Sequence, residues 1–94
     1  MAVGILMQFK GATLDQYDQV IKKMGLSPGG ATPPGGVFHW VAKDDDGLCI
    51  VDVWETREIF DKFAEEKIGP ITAEVGMPAP TMEFYEIHNF LTGG

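Results

Sequence analysis

His39 lies opposite a carboxylate in the pairing that the sequence predicts for a β-hairpin. Two apolar, β-rich segments flank the polar turn 44–47, which ends in glycine. If Lys43 and Leu48 flank that turn, His39 lies directly across from Asp52, with Cβ atoms about 4.5–5.5 Å apart. A carboxylate at this distance can hold an imidazole in one tautomer, as a general base requires. The spacing therefore predicts His39 as a catalytic base oriented by Asp52.

The same register predicts apolar surroundings for this pair. Val37 lies opposite Trp54. Val41 lies opposite Ile50, on the face that carries His39. Because an indole offers a stacking surface for an aromatic substrate, these four residues are predicted to bind substrate. Two alternatives stay open: the histidine–carboxylate pair satisfies two polar groups in a dimer interface, and the tryptophan belongs to the core. A register shift of one residue would move the whole set to the other face.

Three further side chains are candidates for the same site. His88 is placed in the last predicted strand and would join a pocket at the sheet edge as a catalytic acid. The alternative is a structural or solvated histidine. Tyr17, on the first predicted helix, and Tyr85, on the last strand, are candidate hydroxyl donors to a substrate. Packing is the alternative for both tyrosines.

The sequence excludes several other chemistries. Asp44, Asp45 and Asp46 are followed by no ligands at calcium-loop spacing, so they are predicted to form a solvated turn. The two histidines lack zinc-site spacing, and no phosphate-binding glycine motif occurs. Cys49 is the only cysteine and alternates into an apolar face, which predicts a buried, unreactive thiol. We therefore expect no metal and no cofactor.

Hydrophobic periodicity and cap residues predict the elements that position these side chains. Thr13 and Gln16 have the spacing of a capping box, and Gly25 fits a helix end. In chain order the prediction is a strand Val3–Phe9, a helix from Thr13 to Met24, strands Val37–Ala42 and Leu48–Glu55, a helix from Thr56 to Ile68, an interruption at Gly69–Pro70 with a further helical segment to Val75, and a strand Thr81–Phe90.

The segment 25–36 is the one stretch of biased composition. It contains five glycines and three prolines, which neither a helix nor a central strand accommodates. It is therefore predicted to be a connecting loop. Two roles stay open for it: a lid or rim over a site, and a plain linker.

The element order βαββαβ predicts an α+β, ferredoxin-like plait in a single domain over residues 1–94. Its four-stranded antiparallel sheet would carry both helices on one face. The hairpin strands are also apolar on the opposite face, where Phe38, Trp40 and Ala42 lie. Since helices can cover only one face, we expect a homodimer that packs sheet against sheet.

Composition limits the partners. Fourteen acidic residues against seven basic ones give a formal charge of −7, which opposes binding to nucleic acid or to anionic membranes. The apolar run 2–7 is too short to span a bilayer. A single cysteine suggests a reducing compartment, so the expected location is the cytoplasm. A small hydrophobic molecule is the expected ligand.

The segment Val51–Phe63 resembles the strand-to-helix junction of the dimeric α+β barrel superfamily, and within it the antibiotic-biosynthesis-monooxygenase-like proteins. An acidic residue, an alternate aromatic and a short polar cap lead into a helix with phenylalanine near its first turn. The resemblance implies a dimeric barrel of two ferredoxin-like domains. Members of that superfamily include cofactor-free oxygenases, haem-degrading monooxygenases, polyketide cyclases, isomerase-like enzymes and proteins without assigned function, so the resemblance implies one of these.

The haem-degrading branch of that superfamily is disfavoured. It pairs a first-strand asparagine with a histidine on the second helix, whereas this chain has Gln8 on its first strand and no histidine between Thr56 and Val75. We therefore predict a cofactor-independent, monooxygenase-like enzyme for a small aromatic or polyketide-type substrate. A cyclase or isomerase and a non-catalytic, dimeric ligand-binding domain are the alternatives.

Overall fold

In the computed structural model, which describes residues 1–93, four strands form one antiparallel sheet. The strands are β1 (Val3–Lys10), β2 (Gly36–Lys43), β3 (Gly47–Trp54) and β4 (Thr81–Glu86), and the sheet order is β2-β3-β1-β4. Helices α1 (Leu14–Lys23), α2 (Arg57–Phe63) and α3 (Gly69–Val75) complete the chain, with a π-helical turn, Ala64–Ile68, between the last two. This arrangement confirms the predicted ferredoxin-like βαββαβ fold.

The core lies between the sheet and the helices. Strand β1 contributes alternate residues to it, because side chains of one parity share a face. Val3, Ile5, Met7 and Phe9 are at most 6% exposed. The other buried hydrophobic residues of this core are Ala12, Val20, Leu48, Ile50, Trp54, Phe60 and Met77. These residues of the helical face are therefore buried by packing within one chain.

The hairpin of β2 and β3 has the predicted register over most of its length. His39 pairs with Asp52, and Val41 pairs with Ile50. The prediction is wrong at the far end, where a bulge makes Gly36 the partner of Trp54 in place of Val37. The Gly36 N–H donates to the Pro33 carbonyl at 2.9 Å, so it is withdrawn from the ladder and the register slips by one residue.

Strand β4 is shorter than predicted. It ends at Glu86, whereas alternation in the sequence continues to Phe90. Within residues 1–93 it pairs with β1 alone, whose first residue, Val3, already pairs with Glu86. One further backbone bond, from Ile87 N–H to the Ala2 carbonyl at 3.1 Å, completes the pairing. Residues 88–90 therefore lie outside the sheet.

The predicted interruption at Gly69–Pro70 is absent, because the chain widens there into a π-helical turn. Gly69 keeps right-handed helical angles, and its N–H donates to the carbonyl of Ala64, five residues earlier. Pro70 lies in the first turn of α3, where its missing N–H is tolerated. Within residues 1–93 no helix has both the length and the apolar character needed to cross a membrane.

The sheet face opposite the helices, which we call the outer face, exposes large apolar side chains. Phe38 is 49% exposed, Trp40 is 42% exposed and Tyr85 is 53% exposed. Leu6 and Val51 lie half-buried between them on the central strands. Cys49 is also half-buried on this face, where the sequence predicted full burial. The Ile87 side chain lies over Gly4 at one end of this face, whereas Phe38, Trp40 and Tyr85 stay exposed.

Candidate active site

The pairing of β2 with β3 brings His39 and Asp52 into direct contact on the helical face. His39 Nδ1 and Asp52 Oδ1 are 2.5 Å apart. Asp52 is a buried residue, whereas the His39 side chain is 30% exposed. An ionised carboxylate only accepts hydrogen bonds, so Nδ1 carries the proton and donates it to this contact. With its proton at Nδ1, an imidazole in its neutral form presents its lone pair at Nε2.

Trp54 holds the second oxygen of the same carboxylate. Its Nε1–H donates to Asp52 Oδ2 at 3.0 Å. The indole is 3% exposed and packs against Phe60 and Phe63, with ring centroids 5.6 and 5.0 Å away. Both carboxylate oxygens therefore have a donor, which satisfies a buried charge that would otherwise be costly. Trp54 was predicted to form part of the substrate-binding wall. Its indole N–H also holds the Asp52 carboxylate that contacts His39.

Tyr17 contacts the other nitrogen of the imidazole. The distance from Tyr17 Oη to His39 Nε2 is 2.5 Å, and the two ring planes are within 6° of parallel with centroids 5.8 Å apart. Because Nε2 carries the lone pair, the phenolic O–H is the donor. Burial, together with the negative charges of Asp52 and Asp18, raises the pKa of Tyr17 to about 12. The hydroxyl is therefore protonated at neutral pH.

The four side chains form one hydrogen-bonded chain, which we call the Tyr17–His39–Asp52–Trp54 chain. Only its His39–Asp52 link is predicted from the hairpin register. The Trp54 link has a signal in the sequence, since residues two apart on one strand share a face. The Tyr17 link has none, because it depends on how α1 docks on the sheet. Tyr17 appeared in the sequence only as a candidate hydroxyl donor.

A cavity of about 1000 Å³ lies between the sheet and the helices, and the chain of four forms part of its wall. Val37, Val41 and Ile50, the predicted substrate-binding residues, also line it. Residues 26–33 of the glycine- and proline-rich loop line the cavity as well. The cavity is thus largely apolar with a small polar cluster, as is typical of small-molecule sites.

Two predicted site residues lie elsewhere. His88 is exposed beyond the end of β4 and is not among the residues that line the cavity. Tyr85 points to the outer face, where its hydroxyl donates to Glu83 at 2.5 Å. Side chains alternate between the two faces along a strand. Because Met82 and Phe84 pack against the core on the helical face, Tyr85 lies on the outer face. The structure therefore separates both residues from His39.

The aspartates of the β2–β3 turn have a structural role. Asp44 Oδ1 accepts from the backbone N–H groups of Asp46 and Gly47, at 3.0 and 2.8 Å. Asp45 and Asp46 are exposed. Within the part of the chain that the structure describes, no three His, Cys, Asp or Glu side chains come together in a way that could hold a metal ion.

Fold and site together describe a ferredoxin-like α+β domain with a histidine–carboxylate pair at an apolar cavity. A solved structure with the same fold is that of SnoaB, a cofactor-independent oxygenase from Streptomyces nogalater. A point variant of SnoaB matches with a TM-score of 0.65 and 15% identity over 98% of both chains. A second SnoaB structure matches with a TM-score of 0.60 and 11% identity over 98% of this chain and 97% of the other.

These similarities confirm the ferredoxin-like fold that the element order predicted. At 11–15% identity they carry no residue roles from one protein to the other. No family model and no curated protein matches this sequence. The function must therefore be argued from the site itself.

Proposed function

We propose that this protein is a cofactor-independent oxygenase acting on a small, hydrophobic, aromatic or polyketide-type phenol. The observation that carries the proposal is a histidine paired with a buried carboxylate at the wall of a largely apolar cavity. Asp52 orients this base, and Val41 and Ile50 supply an apolar surface for an aromatic skeleton. The fold shared with a cofactor-independent oxygenase supports the same class of reaction.

In the proposed reaction His39 is the base that receives an acidic proton from the substrate. The resulting carbanion, stabilised by the phenolic rings, transfers electrons to O2 and forms a carbon–oxygen bond. Protonation of the peroxide and loss of water then convert a methylene group into a carbonyl group. One oxygen atom enters the product and the other leaves as water, so the substrate supplies every electron. The chemistry therefore needs no separate reductant.

We further propose that two copies of the chain pack through the outer face. Exposed aromatic side chains at Phe38 and Trp40 make this face costly to leave in water. The His39–Asp52 pair lies on the other side of the sheet, so packing there would leave this pair in place, whereas Phe38 and Trp40, which also line the cavity, would lie at the interface. The expected assembly is a homodimer with one site in each protomer.

The proposal is tested by O2 uptake with a dihydroxyanthrone, a tricyclic phenol with an acidic methylene group, measured above its uncatalysed oxidation. We expect His39→Gln to lower kcat by about 10²–10⁴-fold, the usual contribution of a general base. His88→Ala, at the other histidine, should retain the wild-type rate because His88 is exposed outside the cavity. The melting temperature of each variant is the control for folding.

Two results would contradict the proposal. The first is wild-type protein that does not accelerate oxidation of such phenols. The second is a His39→Gln variant that retains full activity. If this variant loses its fold together with its activity, the histidine–carboxylate pair is structural.

A cyclase is the second candidate, and the contact between Tyr17 and His39 is the observation that favours it. The same base would remove a proton next to a carbonyl group, and the tyrosine hydroxyl would protonate the oxygen formed in an aldol closure. Such a reaction consumes no O2. The uptake assay therefore distinguishes it from the oxygenase.

A further inference from the structure

The lone pair of the base is already occupied. An unprotonated imidazole nitrogen has one lone pair available for a hydrogen bond, and Tyr17 Oη lies 2.5 Å from Nε2. The other nitrogen, Nδ1, is committed to Asp52. A substrate therefore cannot reach a free lone pair on His39 while Tyr17 keeps this position.

Tyr17 is held in that position by its own element. It lies in the first turns of α1, where its N–H donates to the Thr13 carbonyl at 3.0 Å. The capping box of Thr13 and Gln16 fixes the start of this helix. The phenol ring is half-buried and packs against the core. Moving it away would remove the hydrogen bond to His39 and this packing.

Two threonine hydroxyl groups of the cavity are engaged elsewhere. Thr72 Oγ1 donates to the carbonyl of Ile68 at 2.6 Å, and Thr32 Oγ1 donates to that of Gly36 at 2.8 Å. Both threonines line the cavity, as Tyr17 does. Of these three hydroxyls, Tyr17 is the one that hydrogen-bonds the predicted base.

We propose that Tyr17 is a catalytic residue that contacts the substrate and relays its acidic proton to His39. The inference rests on the proposed function and changes the way in which the base acts. In this arrangement the acidic hydrogen of a substrate in the cavity contacts Tyr17 Oη. His39 does not contact the substrate and accepts the proton of the tyrosine hydroxyl.

The relay moves two protons together. The bond between the substrate and its acidic hydrogen breaks, its electron pair stays on the substrate, and the proton passes to Tyr17 Oη. At the same time the Tyr17 O–H bond breaks and that proton passes to His39 Nε2. The products are a substrate anion, a neutral tyrosine and an imidazolium beside the Asp52 carboxylate. The reverse transfer later protonates the peroxide oxygen.

This route suits a tyrosine that resists ionisation. With a pKa of about 12, Tyr17 is a poor source of free tyrosinate at neutral pH. A concerted transfer never requires that ion, because the phenol oxygen gains one proton as it loses another. The imidazolium that forms is stabilised by the buried carboxylate, whose second oxygen Trp54 holds.

The deciding variant is Tyr17→Phe, assayed by O2 uptake with dihydroxyanthrone. If Tyr17 is the relay, kcat falls at least 100-fold, and the double variant with His39→Gln loses no more than either single variant, because the two residues act as a unit. If His39 acts directly, removing the hydroxyl frees Nε2, and activity stays within tenfold of wild type or increases. That second result would overturn the relay.

Tyr85→Phe is the matched control, since Tyr85 is the other tyrosine of the chain and lies outside the cavity. A second measurement uses unmodified protein and so does not depend on the folding of a variant. The rate should fall in D2O and should fall further when the methylene group of the substrate carries deuterium, because the exchangeable proton of Tyr17 and the carbon-bound hydrogen of the substrate move in one step. A rate that responds to deuterium in the substrate but not to D2O would overturn the relay.

Failure of the relay can be distinguished from failure of the proposed function. Wild-type protein that does not consume O2 with this phenol refutes the oxygenase, and the relay with it. Wild-type protein that is active, together with an active Tyr17→Phe variant, keeps the oxygenase and refutes only the relay.

Discussion

At the scale of single residues, the site is organised around the buried carboxylate of Asp52. It accepts one hydrogen bond from His39 and one from Trp54. The same carboxylate therefore orients both the predicted base and an aromatic residue of the core. The network extends from the hydrophobic core, through Trp54, to the cavity surface at Tyr17. Buried polar networks are stable when every member has a partner, and no buried side-chain polar atom described within residues 1–93 lacks one.

The raised pKa of Tyr17 predicts how stability changes with pH. The unfolded chain loses this proton near the ordinary tyrosine pKa of 10.0, whereas the folded protein keeps it up to about 12. The stabilisation is complete below pH 10 and is lost as the pH rises towards 12. Because Tyr17 is only half-buried, the effect is on the order of 1 kcal/mol.

Urea unfolding of wild-type protein and Tyr17→Phe at pH 9 and pH 11.5 measures this effect. The difference in unfolding free energy between the two proteins should shrink at the higher pH, because only the wild type carries the titrating phenol. A difference that is the same at both pH values would show that Tyr17 has an ordinary pKa.

The predicted and observed sites differ where residues distant in sequence meet. The pairing of His39 with Asp52 follows from the turn, because a short turn determines which residues of β2 and β3 lie opposite each other. The contact of Tyr17 with His39 does not follow, because helical periodicity shows only that Tyr17 faces inward. Which inward-facing residue reaches Nε2 depends on the docking of α1, which local patterns do not specify.

At the scale of elements, the sequence predicted the type and order of strands and helices but not all of their ends. Alternation continued past Glu86, yet β4 ends there because its neighbour β1 has no further residues to pair. A strand end is thus set by its partner as well as by its own composition. The bulge near Gly36 has a similar origin, since the Pro33 carbonyl takes its N–H.

The π-helical turn shows how two residues that usually disrupt helices are accommodated. Gly69 and Pro70 predicted an interruption, and a bond to a carbonyl five residues back carries the helix through that point. Both Ile68 in this turn and Thr72 in α3 line the cavity. The widened turn therefore shapes the wall of the candidate site, as π-helical turns often do.

At the scale of the whole molecule, the two faces of the sheet have different roles. The helical face carries the core and the cavity, and the outer face carries exposed aromatic residues. The loop of residues 25–36 closes part of the cavity, which favours the rim role over that of a plain linker. The described residues of one chain thus form the fold and the cavity, and the outer face is the surface at which we propose a second copy.

We predict that the protein forms a dimer of two 10.3 kDa chains and that Trp40→Glu converts it to a monomer. A charge at this position, 42% exposed in the single chain, would be buried without a partner on dimerisation. Light scattering coupled to gel filtration measures both masses. Ala79→Glu, which adds the same charge in an exposed loop, should stay dimeric. Wild-type protein that elutes as a monomer would refute the dimer and leave the site unaffected.

The most direct test of the central claim is the fate of molecular oxygen. Dihydroxyanthrone is incubated with wild-type protein under ¹⁸O2, and the product is analysed by mass spectrometry after a short reaction. We predict one ¹⁸O atom per product molecule, at the former methylene carbon, with the second ¹⁸O in water. A product formed without ¹⁸O, or no product above the uncatalysed background, would contradict the oxygenase.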